Sequence, residues 1–411
     1  MATAEPTRHR TLAVLGLTTG VHTLSALQVF TIPAIAPAMA AGIGVGESLV
    51  GVQVILVYLA SMFTSMYAGS LVVRIGAVRT AQLSMALGAA GLGCAALPFP
   101  SVVALASLVL GMSYGLVNPS TGQMLDSAAS PDRRGFLFSV KQTAVPLGGI
   151  LAGMLAPPFA VLLGWQGALL AIGAATLGGA AAVQMKAHWF PFTRARNSET
   201  RPSMFGDLSV IWRVPALRYT CLGVGCFAGV QFTLTTYLVT LLVQGSGIGL
   251  IAAGVGLSFF NFGGIAGRFG WGLVADRVGA GLPVLSALFA TAVGLLLAFP
   301  WIAADWPTAL VYGFLGVLGV VVAGWNGVFL GELLRLAPPG ESARVLGGGL
   351  VFGFAGALIS IGTFLLVYRW VGSYNLTAWT MIVVALIGLS FILKALALVR
   401  RTARTRPSPA E

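Results

Sequence analysis

Charge is what this chain has least of. Asp, Glu, Lys and Arg make up 8% of its 411 residues, while apolar residues make up 57%. Soluble domains carry about 25% charged residues. A soluble fold must wet its outer face, so this composition excludes one, and the apolar surface must meet lipid. The mean hydropathy of +0.93 agrees. Cysteine is scarce too: Cys94, Cys221 and Cys226 all lie in apolar runs. They offer neither a disulfide framework nor a metal site and read as small packing residues. The sequence has no Gly-x-x-x-x-Gly-Lys-Ser/Thr, so ATP-driven work has no support. It also lacks His-Glu-x-x-His and Cys-x-x-Cys, so an intramembrane metalloenzyme has none either. No cofactor is expected.

Acidic residues number 11 against 23 basic ones, a formal charge of +12. This does not indicate nucleic acid. The basic residues sit between apolar runs and at the chain ends, not on one face of a polar domain.

What is abundant is long apolar runs. A helical span needs about 20 apolar residues. Hydropathy predicts twelve spans: 12–39, 48–73, 78–98, 101–124, 136–159, 164–186, 217–243, 249–274, 281–302, 307–334, 343–368 and 374–398. Proline-marked turns separate the pairs near Pro98–Ser101 and Trp306–Pro307. Met1–Arg10 is basic and polar. The run opening at Leu12 is too long for a signal-peptide core and has no small-residue cleavage site, so it reads as the first span.

Orientation follows from the basic residues. With the N-terminus inside, the inner segments carry Arg8, Arg10, Arg74, Arg79, Arg133, Arg134, the set from Lys186 to Arg218, Arg277, Arg335, Arg344 and the set from Lys394 to Arg406. The outer loops carry almost nothing basic except Arg369. The positive-inside rule then places both termini in the cytoplasm. The polar stretch 187–215 reads as a linker between an N-terminal half, 1–186, and a C-terminal half, 216–411. Within it a short amphipathic piece lies on the membrane surface.

The halves repeat. "GSLVVRIGAVR" (Gly69–Arg79) lies between spans two and three, and "GLVADRVGAG" (Gly272–Gly281) between spans eight and nine. Gly69, Arg74 and Gly76 match Gly272, Arg277 and Gly279, 203 residues on. Leu110, Gly111, Asn118, Pro131 and Gly148 match Leu318, Gly319, Asn326, Pro339 and Gly356, 208 residues on. A small insertion near Asp305 accounts for the change of offset. The fold class is therefore an all-α membrane protein of twelve helices in two parallel six-helix pseudo-repeats.

The pattern Gly-x-x-x-Asp-Arg-x-Gly, here Gly272, Asp276, Arg277 and Gly279, resembles the hallmark loop of the major facilitator superfamily. The first copy departs from it, with Val73 where the Asp is expected. In that family the Asp and Arg lock the cytoplasmic face, so the resemblance implies a gate of Arg74, Asp276, Arg277 and Glu332. The run "FLFSVKQTAVPLGGILAG" (Phe136–Gly153) is similar to bacterial permeases of the organic-anion and cyanate-type group.

Polar groups inside spans are costly and are the default functional candidates. Lys141 either snorkels to the inner interface or presents a cation to an anionic substrate. Arg268 either serves the lock beside Asp276 or binds a substrate carboxylate bidentately. His22, midway along span one, could carry a coupling proton or be a satisfied interior histidine. The resemblance implies that spans one, four, seven and ten line the cavity. That makes Gln28, Asn118, Gln231 and Asn326 candidate ligands, and Tyr237 joins them. Each could equally be an interhelical hydrogen-bonding group.

The leading expectation is a monomeric secondary transporter in a bacterial inner membrane. It would take up a small organic anion by alternating access, with proton symport. The runner-up is a proton-coupled exporter, though Val145-Pro146-Leu147-Gly148-Gly149 falls short of the exporters' Gly-Pro-x-x-Gly-Gly motif and no carboxylate lies mid-span in spans one or four. A non-transporting receptor is the reading from outside the class.

Overall fold

The computed structural model describes residues 8–128, 134–190 and 204–405. Pro131, Arg133, Arg406 and the middle of the linker, 191–203, lie outside the described residues. Among the described residues every regular element is helical: α1 (Arg8–Ala34), α2 (Ala36–Ile43), α3 (Val50–Ile75), α4 (Ala77–Ala95), α5 (Pro100–Asp126), α6 (Arg134–Lys141), α7 (Ala144–Met185), α8 (Met204–Arg213), α9 (Pro215–Thr240), α10 (Leu250–Val278), α11 (Gly281–Ala298), α12 (Thr308–Val322), α13 (Asn326–Leu336), α14 (Ser342–Val371), α15 (Tyr374–Thr377) and α16 (Trp379–Thr405).

Among the described residues, ten helical segments are long and apolar enough to cross a membrane. One of them, α7, holds two spans: its 42 residues bend at Gly164, which takes φ 76° and ψ 162°. Arg79, Gln82 and several glycines leave the 19-residue α4 less apolar than the ten, yet it fills the place of span three. With these two adjustments the protein has twelve spans.

Spans one, five, ten and twelve are not continuous helices; span twelve parts at Ala378, between α15 and α16. Span one breaks at Ile35, between Pro33 and Pro37. Span five breaks at Gln142–Thr143, because Pro146 has no N–H for the Gln142 carbonyl and its ring clashes with that carbonyl. Span ten breaks at Ala323–Trp325, between α12 and α13.

The chain forms two compact units: residues 1–200 with 249–258, and 201–248 with 259–411. In the first, α1 packs on α7 and α5, α3 on α5, and α4 on α5 and α7. In the second, α9 packs on α14 and α16, α11 on α16, and α14 on α8.

The sequence repeat recurs in the backbone. Gly44 and Gly247, and Gly76 and Gly279, stand 203 residues apart, and all four have positive φ. Gly164 and Gly372 stand 208 apart and do the same. Gly76, at φ 89° and ψ 155°, occupies a region that only glycine reaches cheaply. That explains the final glycine of the hallmark loop. Helix crossings repeat as well. A Cβ on Gly111 would run into the Val57 carbonyl, and one on Gly319 into the equivalent Phe260 carbonyl. Gly148 sits as tightly against α1 as Gly356 does against α9. Small residues let backbones approach where lipid supplies no hydrophobic drive between helices.

Candidate functional site

Lys141 is the most telling of the expected residues. It ends α6, is 1% exposed, and does not snorkel. Its Nζ donates to Asn118 Oδ1 at 2.8 Å and to the Asn118 carbonyl at 3.3 Å. The Phe138 ring lies 5.8 Å away. Both partners are neutral, and among the described residues no carboxylate pairs with it. Lys141 and Asn118 meet because Pro146 ends α6 early and the break turns the last residue of α6 onto α5.

An aromatic group lies in the same unit. His22 stands 6.3 Å from the Tyr114 ring, and Tyr58 stands 6.4 Å from Tyr114 in an edge contact. His22 is buried. Its Nδ1 has no hydrogen-bond partner among the described residues. The two tyrosines were not legible as site residues, since an apolar run with an occasional tyrosine is ordinary.

Gln28 lies elsewhere in this unit. Its Nε2 donates to Thr176 Oγ1 at 2.7 Å and to the Met85 carbonyl at 3.2 Å, and its Oε1 accepts from Ser113 at 3.3 Å. It ties α1 to α4, α5 and α7 in a helix-packing network.

In the second unit the polar groups gather at the broken span ten. The freed carbonyls are taken by side chains of α10: Arg268 Nε donates to Ala323 O at 3.3 Å, and Trp271 Nε1 to Val320 O at 2.9 Å. Broken helices are tolerated in membranes when neighbours re-satisfy the backbone in this way. Trp325, at the break, donates from Nε1 to Gln231 Oε1 at 2.7 Å and packs against Phe227 and Phe329. Asn326 Nδ2 is buried without a partner among the described residues. Tyr237 is fully buried and stacks on Phe364 at 4.3 Å.

The first unit contains the counterpart. Pro119 deprives Gly115 of its helical partner, and Ser65 Oγ donates to that carbonyl at 3.2 Å. Ser65 precedes Arg268 by 203 residues, and Gly115 precedes Ala323 by 208. The repeat offsets thus carried the signal for Ser65, whose hydroxyl alone would not mark it.

Of the gate residues, Arg74, Asp276 and Arg277 are exposed at helix ends. Glu332 is buried, accepts the Gly281 N–H at 2.8 Å and binds Arg335 Nε at 3.0 Å. It caps α11, where a carboxylate suits the positive end of the helix dipole. Among the described residues no group of three His, Cys, Asp or Glu could hold a metal ion.

Residues 18–361 match the sequence profile of the Major Facilitator Superfamily. The chain belongs to that superfamily, and it is a membrane transporter, not an enzyme. Its fold is similar to a bacterial homologue of the human lysosomal transporter Spinster, in an inward-facing and unoccupied conformation, with a TM-score of 0.72 at 12% identity over 97% of this chain and 99% of that one. It is also similar to the peptide transporter POT in complex with sulfate, with a TM-score of 0.73 at 16% identity over 95% of each chain. A sequence search of curated proteins returns no match.

Proposed function

We propose that the protein takes up a small organic anion, a carboxylate, by alternating access, and that Lys141 is the cation that meets it. The observation that carries this reading is a buried ammonium with neutral partners only. A charge inside a membrane protein is costly unless compensated. Asn118 supplies dipoles but no countercharge, and a substrate carboxylate would supply it. Asn118 is exposed beside it, so a ligand can reach the pair. Arg268, Asn326, Gln231 and Tyr237 are further candidate ligands, each in the second unit. Gln28 serves packing.

We assign the coupling proton to His22. Its buried Nδ1 is free among the described residues, and it lies in the same unit as Lys141. The Lys and Arg distribution supports both termini in the cytoplasm, and the likeness of the span-five run to bacterial permeases supports a bacterial inner membrane. The hallmark-loop residues Arg74, Asp276 and Arg277, with Glu332, form the proposed inner gate.

The test is uptake by proteoliposomes. Small labelled carboxylates should accumulate, faster with an inward proton gradient, and Lys141→Gln should stop them. Accumulation of neutral sugars but no carboxylate would overturn the reading.

A further inference from the structure

A second concentration of positive charge lies where α9 begins and α16 nears its end, away from Lys141 and from the broken span ten. Three aromatic rings and two cations meet there. Arg218 Cζ stands 5.0 Å from the Tyr219 ring and 5.8 Å from the Trp212 ring. Lys394 Nζ stands 4.4 Å from the same Tyr219 ring. Phe391 stacks on Tyr219 from α16.

Two like charges converging on one phenol repel each other. An acidic residue would normally sit between them, and among the described residues none does. Among the described residues neither Arg218 nor Lys394 has a carboxylate partner. The sequences of α9, α14 and α16 contain no Asp or Glu, and α8, which supplies Trp212, contains one, Asp207, whose side chain lies outside the described residues. The α9 terminus adds to the positive field. It opens at Pro215, and its cap residue Val214 makes no side-chain hydrogen bond to the first turn. The positive end of the helix dipole favours an anion there.

The surroundings identify the anion's source. Trp212 is 51% exposed, and Leu393, next to Lys394, is 49% exposed. Exposed Val383, Leu386 and Ile387 continue along the same helix. Amphipathic rings beside cations, with apolar side chains leading away, match a lipid headgroup and its acyl chains. Arg400 and Arg401 follow within two turns of Lys394. We infer that Arg218, Lys394 and Tyr219 form a site for the phosphate of an anionic phospholipid, one not shared with the transported substrate.

The experiment uses the full chain in phosphatidylcholine nanodiscs, with and without phosphatidylglycerol. Native mass spectrometry counts bound lipid, and thermal unfolding gives Tm. Phosphatidylglycerol should bind in preference and raise Tm by mass action. Arg218→Gln and Lys394→Gln should each weaken that binding about fivefold, and the double variant more than tenfold, as expected for juxtamembrane cations. Arg218→Lys should retain most of it. These side chains are at the surface, and if the double variant did not fold, the two single variants would decide. Equal phosphatidylglycerol binding by wild type and variants would overturn the proposal. So would an equal Tm rise with millimolar inorganic phosphate in phosphatidylcholine alone, which would mark a free-phosphate site.

Discussion

Ser65 Oγ and Arg268 Nε, 203 residues apart, take hold of the same carbonyl in the two halves of the protein: Gly115 O at 3.2 Å and Ala323 O at 3.3 Å. One is a neutral hydroxyl and the other a guanidinium, yet each ties a carbonyl that has lost its helical partner to the neighbouring helix.

These stitches should differ in weight. Ser65→Ala should lower stability by about 0.6 kcal/mol, the average for an interhelical hydrogen bond in a membrane protein. Arg268→Gln should cost about 1–3 kcal/mol, because a buried carbonyl loses a charged donor. Thermal unfolding in detergent reads both. If Arg268→Gln abolished uptake while leaving Tm unchanged, Arg268 would act on the substrate and not on the broken helix.

Lys141→Gln should reduce carboxylate uptake about 10- to 150-fold in kcat/KM, matching the loss of one charge-assisted contact of about 1.5–3 kcal/mol. Asn118→Ala should reduce it less, since the Asn118 carbonyl still holds the ammonium. Undiminished uptake in Lys141→Gln, with normal folding, would remove Lys141 from the site.

His22→Gln should leave downhill exchange of substrate across the membrane intact but make net uptake indifferent to a proton gradient. Retained acceleration by the gradient would place the proton on another group.

Gly111→Ala and Gly319→Ala should destabilise by similar amounts, about 1–3 kcal/mol or more, because each methyl group would meet a backbone carbonyl that cannot turn aside. Expression level and Tm are the readouts. A clear difference between the two would mean that the halves pack less alike than their shared glycine contacts indicate.

Glu332→Gln should cost about 1.5–3 kcal/mol, since the carboxylate both caps α11 at Gly281 and binds Arg335. An unchanged Tm with faster uptake would instead mark Glu332 as a gate residue whose main work is in the transport cycle.

The sequence by itself determined the membrane, the helices and the repeat. These are local or periodic properties: apolar length decides whether a segment spans, prolines and glycines mark the turns, and a constant offset reveals duplication. Even the left-handed glycines Gly76 and Gly279 were legible as the last glycine of a repeated loop. Breaks were harder to see. The interruption at Ala323–Trp325 carries no proline, and it exists because Arg268, Trp271 and Gln231 hold on to what the break exposes. Only the tertiary structure decided which polar groups meet. Nothing local distinguishes Gln28, drawn into packing by Thr176, from Asn118, which holds Lys141. All are polar residues in apolar runs, and their partners lie on other helices. Which helix comes near, and at what height, is set by glycine contacts such as Gly111 on Val57 and Gly148 on α1, so the chemistry of each polar residue was fixed by small residues far from it in the chain.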